Sequence, residues 1–326
     1  SLTTNTTGSS NTAVGQSTLS TNSTGSSNTA IGRQALLANS TASENTAVGY
    51  QALYANTTGD GNTAIGVKAM DANTVGDRNV AVGADALGSM NPDSNADTYN
   101  TAVGYQAGKA VTTGINNTLV GGLAGDALTD ADSNIAIGVN ALTSDTLGST
   151  SVAVGQDALF TNNADNNTAI GDSALGNASF TGTLNTALGY DSGKNITSGS
   201  KNVILGSNTG STIATSSNNI IISDGDGNAR IQVDSSGNVG IGITSPTSYN
   251  AAGDNLVVGS TSNNNNGITI VSPSGGSAND SRGNIYFADA TNDTSGFITY
   301  KHRSDAEQML IGVADSVALT LSLIHI

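Results

Sequence analysis

The chain has no cysteine, no tryptophan, only three prolines and only two histidines. Without thiols it can build neither a disulfide framework nor a thiolate metal site, and the redox compartment leaves no trace in it. Charge is scarce and one-sided: 10 Lys and Arg stand against 25 Asp and Glu, a net charge of -15 with a pI of about 4.1. Proteins that bind nucleic acid gather basic residues on one face, so no nucleic-acid partner is expected. No apolar run approaches the roughly 18 residues of a membrane span, and no charged-then-apolar signal segment opens the chain. No membrane insertion is expected of this stretch. Aromatics are 4% and glycines number 41, a composition that suggests disorder unless the apolar residues fall in phase.

They do fall in phase. Near-copies of Asn45 to Gly61, NTAVGYQALYANTTGDG, begin at Asn11, Asn28, Asn45, Asn62, Asn79, Asn100, Asn117, Asn134, Ser151, Asn167, Asn185, Asn202 and Asn219, mostly 17 residues apart. A short fixed period marks a solenoid, each repeat forming one coil that buries its apolar face against its neighbours. Positions one to five read NTAVG or NTAIG, a short β-branched strand. Gly closes it at 15, 32, 49, 66, 83, 104, 121, 138, 155, 171, 189 and 206, where the backbone must turn or approach another segment closely. An apolar pair at positions eight and nine, such as Ala52 with Leu53, predicts a second strand, and a polar turn follows. Stacked coils about 4.8 Å apart place the leading Asn residues in a polar ladder.

Strand side chains alternate between faces. Position four is always apolar and position two alternates between Thr and Val or Ile, so both are expected to face the coil interior. Position three is Ala in ten copies: Ala13, Ala30, Ala47, Ala64, Ala81, Ala102, Ala136, Ala153, Ala169 and Ala187. A small apolar residue held on the opposite face predicts a second buried face covered by another copy of the chain, an oligomer interface. The Thr column at position two is similar to that of ice-binding solenoids, but Val80, Ile135, Val152, Val203 and Ile220 interrupt it, which favours inward packing.

The period breaks between Asn79 and Asn100, where four extra residues predict an outward loop within Ser89 to Thr98. After Asn219 it stops. Residues 224–255 read as a hairpin-like connector, with a strand Arg230 to Asp234, a turn, and a strand Val239 to Ile243. Residues 256–320 read as a small, mainly antiparallel β domain with strands at Leu256 to Val258, Ile268 to Val271, Asn284 to Phe287, Phe297 to Tyr300, Met309 to Val313 and Val317 to Leu321, and a loop at Asn263 to Asn266. The expected fold class is therefore all-β: a parallel β-solenoid over 1–223, then connector and β domain. Ser1 and Leu2 fall at the eighth and ninth repeat positions, so the chain is expected to begin in mid-coil. Leu321 to Ile326 (LSLIHI) resembles the translation of a transposon end used in preparing sequencing libraries, and residues 321–326 are expected to be a non-native tail.

The NTAVG, NTAIG and SVAVG cores resemble the head repeats of YadA-like trimeric autotransporter adhesins and, equally, the repeat shafts of bacteriophage tail fibres. That resemblance covers about residues 1–223 and implies a left-handed β-roll, a homotrimer, and a rod that holds a binding tip away from a surface. SSGNVGIGITSP at 235–246 resembles the fibre segment that precedes a distal β region and an endosialidase-type intramolecular chaperone. GFITYKHRSDAEQML at 296–310 is similar to another fibre segment, in which Tyr300, His302, Asp305 and Met309 fall in step. The resemblance implies a virion tail-fibre shaft presenting a receptor-binding region to a host cell-surface glycan or protein. A bacterial surface adhesin head is the alternative, and a glycan-degrading tailspike a more distant one.

Little chemistry is expected, and the chain reads as no enzyme and without a cofactor. Asp224, Asp226 and Asn228 have the spacing that opens a calcium loop, but Ala229 stands where its Gly belongs and Ser235 where its Glu belongs, so a turn accounts for them better. His302 lies beside Tyr300 and Asp305 and is the only His outside the terminal hexapeptide, which excludes a His cluster. Carboxylate pairs such as Asp93 with Asp97 and Asp130 with Asp132 sit in turns, without the groove that glycoside hydrolysis needs. Tyr50, Tyr105 and Tyr190 share position six but are coils apart, so no continuous stacking surface is expected. The many Asn-x-Thr sequons reflect only the Asn and Thr content of the repeat.

Overall fold

In the computed structural model, residues 1–161, 164–177, 179–246, 256–259, 268, 281–287, 296–302, 308–313 and 316–322 are described. The chain divides into two units, Ser1–Thr261 and Ser262–Ile326. The first is a parallel β-solenoid. Its 16-stranded sheet takes one short strand from each coil, from Thr12–Val14 and Thr29–Ile31 through Val203–Leu205 to Ile220–Ser223, all parallel and in register. The same repeat position therefore stacks on itself coil after coil.

Each coil contributes one ladder strand rather than the expected two. The apolar pair at positions eight and nine is buried, but it lies in a turn: Gln51 and Leu53 have φ of 57° and 48°, and the neighbouring coils repeat the pattern. A left-handed backbone costs an L residue roughly 1–2 kcal/mol, so the burial of Leu53, at roughly 1.5–3 kcal/mol, holds the coil closed at this corner. Position five needs Gly on two counts. Gly49 has φ of 140°, and a Cβ there would stand 2.3 Å from the Gly66 carbonyl oxygen of the next coil.

The leading Asn closes the coil and joins it to the next. The Asn45 N–H donates to Asn28 Oδ1 at 3.0 Å, the Asn62 N–H donates to Asn45 Oδ1 at 2.8 Å, and Asn45 Nδ2 donates to the Gly59 carbonyl at 2.8 Å. A second Asn ladder at position twelve is hidden within what reads as a polar turn. Asn39, Asn56 and Asn73 each donate Nδ2 to Oδ1 of the Asn one coil earlier, at 2.8–3.1 Å, and to the carbonyl three residues on. At position sixteen Ser and Asp side chains cap the previous coil's N–H: Ser43 donates to Asp60 Oδ1 and Asp60 to Asp77 Oδ1. Buried polar groups in so thin a coil have no water to fall back on, so each must find such a partner.

Of the expected outward loop, Asp93 to Asp97 is exposed, whereas Met90 and Pro92 are buried beneath it. Ala96–Asp97 pairs with Gly76–Asp77 and returns the chain to register. Beyond the last coil the sheet turns antiparallel, Ile220–Ser223 to Ala229–Val233 to Val239–Ile241, as expected of a connector. Leu256–Val258 then pairs parallel with Val239–Ile241, so this strand belongs to the solenoid's sheet and not to the C-terminal domain.

The second unit contains a four-stranded antiparallel sheet, Ser281–Phe287, Gly296–His302, Gln308–Val313 and Ser316–Ser322, in sequential order. Leu321 and Ser322 of the expected tail end its last strand. The expected loop Asn263 to Asn266, all but Ile268 of the expected strand Ile268 to Val271, Asp305 and residues 323–326 lie outside the described residues. Among the described residues no helix is long and apolar enough to cross a membrane.

Candidate interface

The two faces of each strand are the reverse of the expectation. Ala30, Ala47, Ala64, Ala81, Ala102, Ala136, Ala153, Ala169 and Ala187 are fully buried within their own chain, packed with Leu19, Leu36, Leu53 and their equivalents, and Ala13 in the first coil is partly buried against the same core. These ten residues form the solenoid's interior and cannot meet a second copy. The reason is volume. A coil of 17 residues encloses a space already occupied by the position-nine Leu, and only a small side chain fits opposite it. Constancy of Ala reports a tight core, not a partner.

Positions two and four point outward instead. Register carries them through the whole sheet as two rows. One row runs from Thr12, Thr29 and Thr46 to Val203 and Ile220, then Val233, Val239 and Leu256. The other runs from Val14, Ile31 and Val48 to Leu205 and Ile222, then Ile231, Ile241 and Val258. Every member of both rows is Thr, Val, Ile or Leu. Ile31, Ile65, Ile137, Ile170, Leu188, Ile222 and Ile241 are each 38–48% exposed, which for a β-branched or aliphatic residue on a flat sheet is a large uncovered area. Rows about 7 Å apart and about 4.8 Å per strand make a stripe well beyond the few hundred Å² at which an apolar patch on a soluble chain marks a contact.

The rows persist where the repeat ends. In Ala229–Val233 the chain direction reverses and the 17-residue period is gone, yet Ile231 and Val233 still lie in register with Ile222 and Ile220. Packing within one chain does not require this, since these side chains remain partly exposed there.

No titratable side chain falls within the rows; charge and aromatic groups form their rim. Position seventeen supplies Glu44, Arg78, Tyr99 and Lys201, and position six supplies Arg33, Tyr50, Tyr105 and Tyr190. Arg33 lies 5.2 Å from the centre of the Tyr50 ring. Arg78 pairs with Asp97, whose Oδ2 also accepts from Tyr99 Oη at 2.8 Å. An apolar centre with a polar, Tyr- and Arg-bearing rim is the usual composition of a protein interface. Because the Thr row faces outward, inward packing no longer weighs against ice recognition. The five Val and Ile interruptions do, and the companion row carries no hydroxyl at all.

The other residues singled out in the sequence are occupied structurally. Asp224 accepts from the backbone N–H of Asp226 and Asn228 at 3.1 and 2.9 Å and pairs with Arg230, which makes the calcium-like spacing a turn. Asp132 Oδ1 accepts from the Ile115 N–H at 2.8 Å, and Asp130 Oδ1 accepts from Thr129 at 2.8 Å. His302 ends the strand Gly296–His302 opposite Ser281, and Tyr300 stands opposite Met309, the Tyr300 and Met309 side chains being partly exposed. Among the described residues no three His, Asp or Glu side chains come together as a metal site. No protein-family model, no curated protein and no solved structure matches this chain.

Proposed function

We propose that this chain is the shaft of a self-assembling attachment fibre, a homotrimer in a virion tail fibre that presents its distal part to a host cell surface. The observation that carries this reading is the pair of uncharged rows, one wholly Val, Ile and Leu and the other Thr alternating with Val, Ile and Leu, continuous through the sheet and unbroken at the connector. A partner for such a stripe must offer apolar groups at the same spacing over the same length. A second copy of the chain offers that, and the resemblance to fibre shafts implies three copies. Twelve apolar members of the rows are 37–58% exposed; covering each would contribute on the order of 1 kcal/mol, and together with the less exposed Val, Ile and Leu they offset the roughly 4–15 kcal/mol lost in association.

Sedimentation equilibrium of the full chain tests the assembly. Three copies per particle are expected, persisting at high salt because the stripe holds no charge. A well-folded monomer with its rows bare would remove the basis for the reading. Adsorption of the protein to host cells, competed by purified surface glycan, tests the attachment role.

A further inference from the structure

We propose that the open end of the last coil, beneath the strand Ala229–Val233, is a binding site for a neutral sugar residue. The interior row of the sheet runs Ala187, Ile204, Ile221 and then Gln232 and Gly240. Apolar packing thus gives way to an amide where the coils stop. In this strand Ile231 and Val233 face outward and the amide faces inward, the opposite of what a closed core requires. Gln232 is only 6% exposed, and its Oε1 has no hydrogen-bond partner. A buried acceptor left unpaired costs roughly 1–3 kcal/mol, a penalty that Leu at the same place would avoid.

Gln232 lines a cavity of about 400 Å³, together with Thr212, Ser216, Asp234, Thr244 and Ile213, within the size range of small-molecule sites. The character of the lining selects the ligand. Among the described lining residues there is no Lys, Arg or His, so an anionic ligand finds no counter-charge in them and would face the Asp234 carboxylate. Asp234 in turn has little capacity left for a cation, because Oδ1 accepts from the Ser236 and Asn238 N–H groups and Oδ2 from Asn238 Nδ2. Among the described residues that line it there is no aromatic ring to stack a planar ligand. Hydroxyls that donate and accept, an amide that does both, and the aliphatic side of Ile213 suit a sugar ring, with hydroxyl edges and an apolar C–H face. Gln232 Oε1 is itself closed to solvent, so the amide must turn about its broad terminal torsion for a sugar hydroxyl to donate to that oxygen.

Biologically the site would deepen the attachment reading, but its binding can be tested without that reading. Ligand-observed NMR of the full chain with glucose, galactose, mannose, N-acetylglucosamine and N-acetylgalactosamine should show saturable binding of at least one, and none of N-acetylneuraminic acid. Gln232→Leu should weaken that binding tenfold or more while keeping or raising the melting temperature. Thr244→Ala, at the cavity edge, should weaken it less and serves if the first variant fails to fold. No saturable binding across the panel, or binding unchanged in both variants, overturns the proposal. Sugar binding without adsorption to any host would overturn the attachment role and leave the site standing.

Discussion

A Cβ on Gly108 would stand 2.6 Å from Leu119 Cδ1, and one on Gly125 would stand 2.8 Å from both Leu119 Cδ2 and Leu128 Cδ1. These glycines occupy position nine, where most coils place Leu. In the coils of Leu36, Leu53 and Met70 position twelve is the ladder Asn (Asn39, Asn56, Asn73) and position three is Ala, whereas the coil of Leu87, which carries the four-residue insertion, buries Met90 at position twelve as well. Where position nine is Gly, as at 108, 125, 193 and 210, position twelve becomes Val111, Leu128, Ile196 or Ile213 and fills the same space. The four Gly coils thus keep an apolar core while exchanging which corner supplies it.

This exchange predicts coupling. Gly125→Ala should destabilise by about 1–3 kcal/mol through overpacking and left-handed backbone, and Leu119→Ala by about 2–5 kcal/mol through the cavity it leaves. The double variant should be less damaged than their sum, because the truncated Leu119 makes room for the new methyl. Denaturant melts of the four proteins measure the difference, and strict additivity would show that the two positions do not share one space.

The leading Asn should be intolerant of substitution. Asn117 is fully buried; its Oδ1 accepts from the Asn134 N–H at 3.0 Å, and its Nδ2 donates to the Ala131 carbonyl at 2.8 Å. Asn117→Ala strands both groups and should cost about 2–5 kcal/mol. Asn117→Asp keeps the acceptor but sets a buried carboxylate against a carbonyl, and should be worse at neutral pH than in acid. Hydrogen exchange at the Asn134 N–H should accelerate most in Asn117→Ala, which removes its acceptor, and less in Asn117→Asp, which keeps it.

Two carboxylates should give opposite pH dependences. At Asp234 desolvation is the largest single effect and raises the carboxyl, but the hydrogen bonds from the Asn238 backbone, the Asn238 amide, Ser236 and Gly237 together outweigh it and hold the group below the usual range. Its stabilising effect is present above the unfolded value of about 3.9 and is lost as pH falls through the lower folded value. At Asp126, burial raises the carboxyl, opposed by the Thr143 hydrogen bond, and Oδ1 has no partner. Its ionisation therefore weakens the fold progressively as pH rises through the raised value. Asp126→Asn should stabilise by on the order of 1 kcal/mol at pH 7, an advantage that vanishes in acid. Asp234→Ala should instead loosen the connector turn at pH 7 and make no difference below the folded value.

The repeat, its register and the antiparallel connector are legible in the sequence because period and alternation are local signals. Which strand face points inward is not local. Thr at position two of Thr29, Thr46 and Thr63 already hinted at an outer face, since a hydroxyl inside so thin a core would need a partner. The constancy of Ala was the stronger pattern, and it has two physical causes, a tight core or a close neighbour, that composition does not separate. The exchange of Leu53 with Asn56 for Gly108 with Val111 is the signal that separates them, because only residues sharing one interior trade volume. The end cavity at Gln232 depends on where the last coil stops and what lies over it, and no spacing encodes that.

The reversal of faces gives the sharpest test of assembly. Ile137 and Ile170 are about two-fifths exposed in the single chain, on the outer row, whereas Ala136 and Ala169 between the same strand neighbours are fully buried. Ile137→Asp with Ile170→Asp should leave circular dichroism and the melting behaviour of the isolated chain nearly unchanged, since exposed substitutions shift stability by about 0.5 kcal/mol or less. The same pair should shift the sedimenting species to a monomer, because three copies would bring six carboxylates into an apolar seam. Ala136→Asp should instead abolish folding, a buried unpaired charge being intolerable in the coil. If the outer-row pair remains oligomeric, assembly uses another surface and the stripe must be covered by something other than a copy of this chain.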